Sequence, residues 1–419
     1  MPHIGVDELL NISAGRDEPT RLTALRRRGL AHYTTADLPD RVQHLWRYTD
    51  PFDLVPSDAF LAARSVNAGQ QLEAPELGAS AFLTSGQTIG VTCTEAATTA
   101  GITLRPLRHA GDDLALMGQA VRPSHGLLEA LNTASWSTGV WVGIPPGVHI
   151  EGTLDLVIDA SAGATTLPRV LVTVGAGAEV TVVERHSGGG RGAHVIGVSE
   201  LFVGPGASVR YVIAQDWDKS VVGHLTERAE VARDAQLVTV LSSFGGRVVK
   251  MDIGADLRGE RARSELAGVV LGDGRQHFDH HTVHRHCAPQ TWSNIDLRVA
   301  LTGRSRSAYT GLIRIEECAS KSEAYQEERN LLFGTRCRAD AIPELEILNN
   351  DVQCTHGATT SPVDEEQLFY LRSRGIEAAE ARKIVVRGFL DATLRRLPPE
   401  LLKLLEPQIH TKLAALSGA

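Results

Sequence analysis

Four short segments between residues 177 and 270 decide the fold: GAEVTVV (177–183), GASVRYV (206–212), DAQLVTV (234–240) and RARSELAGVV (261–270). Each segment has an alanine followed by a run in which apolar and polar residues alternate, which is the pattern of a β-strand. The alanines follow one another at intervals of 29, 28 and 27 residues: Ala178, Ala207, Ala235 and Ala262. A nearly constant period of this size is typical of a solenoid, in which each unit buries its apolar face only by stacking on its neighbours.

Similar alternating runs extend from about residue 141 to residue 362, without a helix-length segment between them. We therefore expect a mainly β protein whose core, residues 141–362, is a right-handed parallel β-helix. Helical patterns on either side predict a mostly helical N-terminal region at 1–140 and a helical C-terminal region at 363–419. The alternative is a β-sandwich with regularly spaced turns, but sandwich turns are usually closer together and give no reason for a repeated motif.

The composition argues against several classes of protein. The chain has 419 residues and a net charge of −8, whereas nucleic-acid-binding proteins usually have a basic surface. No apolar run approaches the roughly 18 residues of a membrane-spanning helix, and the first twenty residues do not resemble a signal peptide. Five cysteines, an odd number spread over a long chain, do not suggest a disulfide framework. We expect a cytoplasmic protein with free thiols that binds neither nucleic acid nor membrane.

The usual sequence motifs of enzymes are missing. Neither Lys219-Ser220 nor Lys321-Ser322 follows the glycines of a phosphate-binding loop, and the sequence contains no GxSxG or HExxH. These absences favour a protein that is not an enzyme.

Histidines are concentrated in the segment QHFDHHTVHRHC at 276–287. Imidazole and thiolate bind zinc and iron, so the segment is a candidate metal site. Successive side chains of a strand point to opposite faces, so His280, His284 and His286 would share one face, with His277 and His281 on the other. In a β-helix one face is the interior, and buried, hydrogen-bonded histidines are the structural alternative, which we favour over a metal site.

A second candidate site is the Cys354-Thr355-His356 sequence. On a strand the two outer side chains lie on one face about 7 Å apart, close enough to approach one ion or cluster edge. A bare pair of this kind is more often part of the core and surface than a ligand set. Cys337, seventeen residues earlier, is another thiol that a neighbouring turn would supply.

Longer motifs around these residues resemble the SufB/SufD family of iron–sulfur cluster assembly scaffolds. The resemblance rests on WRYTD (46–50), DHHTVHRH (279–286) with SN (293–294), RNLL (329–332), PELEI (343–347), CTHGAT (354–359) and FYLRSRGI (369–376). Gly357 after the histidine is typical of SufD, because the SufB branch has an acidic residue there. Cys337, in contrast, lies where SufB has its cluster-associated cysteine. The sequence is therefore most like SufD, with a SufB-like scaffold that uses Cys337 as the alternative.

The resemblance implies a non-catalytic scaffold subunit of the SUF machinery with a β-helix core and helical ends. It implies a heterodimer with SufB and a SufC ATPase docked on residues 363–419. It assigns His356, Cys354 and Cys337 to the subunit interface, where they would hold iron or a nascent iron–sulfur cluster transiently. No permanently bound cofactor is expected.

Two functions of other classes compete with this interpretation. Many β-helix proteins degrade polysaccharides, but such enzymes are usually secreted and have grooves rich in aromatic residues, which make up only 5% of this chain. A free-standing metal-binding protein would use the histidines of residues 280–287. Fold alone does not decide between these functions, whereas the C-terminal motifs favour the scaffold.

The purified protein should neither hydrolyse ATP nor bind nucleotide tightly, because it has no phosphate-binding loop. A phosphate-release assay on the purified protein, with a mock purification as control, measures this. Hydrolysis that co-elutes with the protein and is absent from the mock sample would contradict the prediction.

Overall fold

The computed structural model describes residues 17–56, 78–83, 88–136, 138–160, 165–395, 397 and 399–416. Within them the helices are α1 (Thr20–Thr35), α2 (Pro51–Leu54), α3 (Glu95–Thr99), α4 (Leu127–Ser135), α5 (Glu365–Ser373), α6 (Ala378–Leu394) and α7 (Pro399–Leu416). The strands of the same residues are β1 (Gly78–Leu83), β2 (Thr88–Cys93), β3 (Thr103–Pro106), β4 (Thr138–Ile144), β5 (Thr153–Asp159), β6 (Thr165–Thr166), β7 (Pro168–Val174), β8 (Glu179–Ser187), β9 (His194–Val203), β10 (Ser208–Gln215), β11 (Val222–Val231), β12 (Gln236–Ser243), β13 (Val248–Leu257), β14 (Arg263–Gly272), β15 (His277–His286), β16 (Trp292–Thr302), β17 (Arg306–Ile315), β18 (Glu323–Phe333), β19 (Arg338–Ile347) and β20 (Gln353–Pro362). None of the described helices is long and apolar enough to cross a membrane.

The strands form two sheets. One sheet has the order β2-β1-β5-β8-β10-β12-β14-β16-β18-β20, and the other has the order β19-β17-β15-β13-β11-β9-β7-β4-β3, with β6 beside β9. From β7 onward the chain alternates between the sheets, and each strand pairs in parallel with the strand two positions later. The result is a parallel β-solenoid of about eight turns with helices at the termini, which confirms the fold that the repeat predicts.

The repeated alanine marks the turn before four successive strands of the first sheet. The four alanines are buried and directly precede β8, β10, β12 and β14. The residue before each alanine has a φ between 57° and 67°: Gly177, Gly206, Asp234 and Arg261. Its N–H donates to a carbonyl of the next turn, as from Gly177 to Pro205 at 2.9 Å. These stacked hydrogen bonds hold the left-handed conformation even where the residue is not glycine.

The described part of residues 1–140 combines helices with strands. β1 pairs in parallel with β5, while β2 and β3 pair antiparallel with β1 and β4. Helices α1 and α4 pack together, and their apolar side chains cluster with Leu167, Ile196 and Val222 on the outer face of the second sheet. The N-terminal region thus extends both sheets and covers one of them.

The C-terminal helices cover the outer face of the first sheet. Apolar residues of α6 and α7 form one cluster with outward-facing residues of β10, β12 and β14; its members include Val386, Leu390, Leu401, Leu405, Ile409, Val212, Val240 and Val269. At the far end of α7, Lys412 donates to the carbonyl of Phe244 and to Gln276. Much of the apolar surface of α6 and α7 is therefore used inside the chain.

A fully buried ion pair attaches the N-terminal region to the solenoid. Arg169 on β7 and Glu200 on β9 lie 2.6 Å apart, and both side chains are completely inaccessible to solvent. Glu200 also accepts hydrogen bonds from the backbone N–H groups of Gly118 and Val121, at 2.9 and 3.0 Å. The Glu200 carboxylate thus neutralises the buried guanidinium of Arg169 and also accepts hydrogen bonds from the backbone of the segment that covers it.

Glu200→Ala should lower the free energy of unfolding by about 3–5 kcal/mol, because it leaves the Arg169 charge buried without its partner. Glu230→Ala is the matched control, since Glu230 pairs with Arg258 at 3.1 Å in a partly exposed ion pair and should cost at most about 1 kcal/mol. Chemical denaturation measures both. Equal losses in the two variants would contradict the role of the buried pair.

Candidate functional site

Among the residues that the structure describes, the solenoid ends with two strands that have a neighbouring strand on one side only. β19 and β20 are the last strands of their sheets, and we call them the terminal turn. Every residue of β20 except Cys354 is exposed. Both strands therefore present unpaired backbone N–H and C=O groups along ten residues.

Cys354 and His356 lie on the same face of β20, as their spacing predicts. In the register of the parallel strands, Cys354 lies beside Ala324 of β18 and His356 lies beside Gln326. Each therefore continues a column of side chains that are stacked from turn to turn. Cys354 is half-buried against a small apolar cluster that includes Ile313 and Ile315, and burial raises the pKa of its thiol to about 11. His356 is exposed. The imidazole is thus accessible at the end of the solenoid, whereas the thiol is protonated near neutral pH.

Cys337 lies at the opposite end of the terminal turn. Its thiol donates to the carbonyl of Gly334 at 3.1 Å and is buried in the main apolar core. The β18 neighbour of Cys354 is Ala324, near the beginning of that strand, whereas Cys337 follows the end of the same strand. At about 3.3 Å per residue, the two thiols are separated by roughly 25–30 Å along the strand. The structure therefore does not bring Cys337 together with Cys354 and His356.

The histidine-rich strand β15 places His280, His284 and His286 in the interior, as the alternation predicts. The His286 ring contacts the hydroxyls of Thr291 and Ser293 at 2.7 and 2.9 Å. His284 lies 3.2 Å from the Ser264 hydroxyl, while His280 stacks on Phe278 with both ring nitrogens unpartnered. Burial lowers the pKa of all three imidazoles, to about 3, 3 and 4 in chain order.

These histidines do not converge on one point. Over the ranges that the structure describes, no three His, Cys, Asp or Glu side chains are placed to hold one metal ion. The three imidazoles are buried, neutral and in separate contacts, which is the arrangement expected if the histidines of this strand are structural and do not form a metal site.

The outer face of β15 binds the WRYTD segment. The Thr49 hydroxyl donates to Asp279 at 2.5 Å, and Lys250 lies 3.0 Å from the same carboxylate and 2.6 Å from the carbonyl of Leu45. Burial opposes ionisation of Asp279, but Lys250 together with hydrogen bonds from His281 and Thr49 holds its pKa well below the usual range. Two of the motifs that carry the resemblance thus form one buried polar contact.

Three buried polar residues beneath the terminal turn were missed by the sequence interpretation. Gln326, Glu328 and Asn330 face the interior from β18, and each is at most 3% exposed. They lie under His356, Ala358 and Thr360 of β20, in the same three columns. The composition of the segment YQEERN is typical of a polar surface strand. Its even-numbered residues can be assigned to the interior only by extending the alternation of the neighbouring strands into this segment.

A groove of about 760 Å³ separates α5 and α6 from the end of β20. Its lining includes Pro362, Tyr370, Ile384, Val385 and Phe389. Tyr370 and Ile384 are 57% and 42% exposed, and Phe369 beside them is 73% exposed. Phe389 packs partly against the apolar cluster of α6 and α7, whereas the side chains of Phe369, Tyr370 and Ile384 leave much of their surface exposed.

Comparison with known proteins identifies the family. The sequence model described as "SUF system FeS cluster assembly, SufBD core domain" matches residues 156–389, more than half of the chain. An iron–sulfur cluster assembly SufBD family protein of Mycobacterium leprae is 32% identical over 260 residues, which are 61% of this chain and 30% of that protein. The iron–sulfur cluster assembly protein SufB of Bacillus subtilis is 30% identical over 285 residues, 67% of this chain and 61% of SufB.

A SufBD family protein of Mycobacterium tuberculosis is 33% identical over 279 residues, 65% of this chain and 66% of that protein. The matched part spans less than a third of the M. leprae relative and less than two thirds of SufB. The residues matched by the family model include β6 to β20, all of α5 and most of α6. They therefore include the terminal turn and the groove. The chain therefore belongs to the SufBD family of the SUF iron–sulfur cluster assembly system.

Proposed function

We propose that this chain is a SufD-like, non-catalytic scaffold subunit of a cytoplasmic SUF complex, in which it pairs with a SufB-like subunit and docks a SufC ATPase. The observation that carries the proposal is an exposed imidazole, His356, on β20, one of the two edge strands at the end of the solenoid. A site there would be shared with whatever protein covers that end.

The edge strands support pairing with a second solenoid. Exposed edge strands of ten residues readily accept another strand, and soluble proteins normally cover or disrupt them. The apolar side chains Ile347 and Leu348 at the end of β19 are 43% and 50% exposed. A SufB-like subunit with a similar terminal turn would satisfy the backbone groups and bury these side chains together.

The chemistry of His356 and Cys354 suits transient binding of iron or a nascent cluster. Imidazole is a ligand for iron, and thiolate is a ligand for iron and iron–sulfur clusters. Within one chain only the imidazole is ready to bind, because the Cys354 thiol is protonated and half-buried. We therefore assign His356 the primary role and Cys354 a role that depends on ligand binding or the partner.

The position of Cys337 favours the SufD-like role over the SufB-like alternative. Its thiol is buried, burial raises its pKa, and it lies at the other end of the terminal turn from His356. A SufB-like site that combined Cys337 with Cys354 and His356 would need a large rearrangement of the core.

The groove beside α5 and α6 supports docking of SufC on the C-terminal region. Its aromatic and aliphatic side chains, Tyr370, Ile384 and Phe389, have the composition of a protein-binding surface. Leu390, which helical spacing alone assigns to the same surface, is fully buried within the chain and is unavailable to a partner.

His356→Ala should strongly reduce iron–sulfur cluster assembly in cells while leaving the complex with SufB and SufC intact, because alanine offers no lone pair to iron. The free energy of unfolding should change by no more than about 0.5 kcal/mol, as is usual at exposed positions. Activity of a SUF-dependent iron–sulfur enzyme, divided by the amount of complex recovered, is the measurement.

Two controls accompany this variant. His149→Ala removes another exposed imidazole, 67% accessible at its side chain, and should leave assembly unchanged. His280→Ala removes a buried imidazole and should lower the melting temperature more than assembly per folded molecule. Wild-type assembly by His356→Ala, or loss of iron from a fully folded His280→Ala protein, would overturn the assignment.

The double variant Tyr370→Ser/Ile384→Ser should reduce co-purification of SufC at least about tenfold, since buried aromatic anchors dominate such interfaces. Phe52→Ser is the matched control, because Phe52 is 77% exposed and lies in the N-terminal region. Co-purification from cells that co-express the subunits measures the effect. Retention of SufC at the wild-type level would show that the dock lies elsewhere.

A further inference from the structure

Two of the five cysteines lie in contact on neighbouring turns of the solenoid. Cys287 directly follows β15, and Cys318 lies in the turn after β17, the strand that pairs with β15 in parallel. The Cys318 thiol donates to the backbone carbonyl of Cys287 at 3.2 Å. The two residues are 31 positions apart in the sequence, so it is the stacking of turns that brings them together.

The turn that contains Cys318 is longer than the turn on which it stacks. β15 and β17 end in register, and each of the following turns closes at a residue with a positive φ, Gln290 or Lys321. The first turn has three residues, 287–289, whereas the second has five, 316–320. The longer turn exposes Cys318, and an exposed turn can shift without breaking the hydrogen bonds between the strands.

The contact places the two cysteines within reach of a disulfide bond. A carbonyl oxygen lies about 2.4 Å from its own Cα, and a cysteine Sγ lies about 2.8 Å from its own. Since 3.2 Å separates the Cys318 Sγ from the Cys287 oxygen, the two Cα atoms are no more than about 8.5 Å apart. Disulfides have Cα–Cα distances of roughly 4.4–6.8 Å. Rotation of the two side chains and a small shift of the exposed turn are therefore sufficient to join the sulfurs.

The two thiols differ in their access to solvent. All five cysteines lie in the described part of the chain, and only Cys318 is exposed. Cys287 is half-buried and donates to the carbonyl of Arg285 at 3.8 Å. Burial, together with the nearby carboxylate of Asp256, raises the pKa of the Cys287 thiol to about 11. An oxidant in solution therefore reaches Cys318 first, and Cys287 is the thiol beside it that completes a disulfide.

We propose that Cys287 and Cys318 form an oxidant-sensitive thiol pair that closes a disulfide between two turns of the solenoid. With hydrogen peroxide as the oxidant, the O–O bond breaks, the Cys318 sulfur takes one oxygen to become a sulfenic acid, and one water leaves. The Cys287 sulfur then displaces this oxygen as a second water while the S–S bond forms. One peroxide is reduced to two waters, and the two thiols supply two electrons and two protons. A dithiol reductant reverses the reaction.

The disulfide would join the two turns that support the end of the solenoid. β17 lies between β15 and β19, and β19 is the last described strand of the second sheet. Both cysteines lie outside the terminal turn and outside the groove beside α5 and α6. Their oxidation is therefore independent of the proposed function, and neither result decides the other.

Disulfide mapping of the full-length protein tests the proposal. The reduced protein is treated with hydrogen peroxide, its remaining thiols are alkylated, and tryptic peptides are analysed by mass spectrometry without reduction. Each of the two cysteines lies on its own peptide, because trypsin cleaves after Arg285, Arg298, Arg314 and Lys321. The wild type should lose two of its five thiols and yield one linked peptide that contains Cys287 and Cys318. Dithiothreitol should restore both thiols.

Three single variants identify the roles of the two thiols. Cys318→Ser should abolish the linked peptide and slow the loss of thiols at least about tenfold, because the exposed sulfur is gone. Cys287→Ser should also abolish the linked peptide but leave a sulfenic acid at Cys318 that dimedone labels. Cys93→Ser is the matched control, since Cys93 is also half-buried but lies in β2 at the opposite end of the first sheet from β20. It should form the disulfide as the wild type does.

The wild-type protein alone suffices to refute the thiol pair, so the result does not depend on the folding of a variant. Circular dichroism before alkylation shows that the oxidised protein is folded. Absence of the linked peptide from the folded wild type, or a disulfide from Cys318 to any cysteine other than Cys287, would overturn the proposal. A linked dimer through Cys318 of two copies would overturn it as well.

Discussion

In-register hydrogen bonding between successive turns is the interaction on which the rest of this structure depends. From β7 to β20 every strand lies beside the strand two positions away, residue against residue, so each side chain belongs to a column that runs along the solenoid. The column determines whether a side chain is interior or exterior. In the described part of the chain its last members, on β19 and β20, have a neighbour on one side only, and this places His356 at the exposed end of the solenoid.

The two outer faces are covered by different interactions. The N-terminal region is attached through apolar packing and through hydrogen bonds to two buried ion pairs of the solenoid, Arg169 with Glu200 and Lys250 with Asp279, whereas the C-terminal helices are attached mainly through apolar packing. Buried ion pairs are demanding in geometry, so they specify one position of the covering segment. Apolar packing tolerates more variation and leaves one side of α5 and α6 available for another protein.

The interior accepts titratable groups by keeping most of them uncharged. Burial raises the pKa of Glu227 and of Glu328 to about 8 and lowers the pKa of His280 to about 3, so all three are largely neutral near pH 7. Neutral forms avoid the large cost of a desolvated charge, although their hydrogen-bonding capacity still needs partners.

The sequence by itself determined the solenoid, the alternation that places His280, His284 and His286 in the interior, and the common face of Cys354 and His356. These features depend on local periodicity, which one strand and one repeat already contain. Only the tertiary structure decided that Cys337 is far from His356, that Thr49 contacts Asp279, and that Gln326 and Glu328 are buried under the terminal turn. These facts depend on which strands become neighbours and on where the stack ends, and neither the period nor the composition of a single segment contains that information.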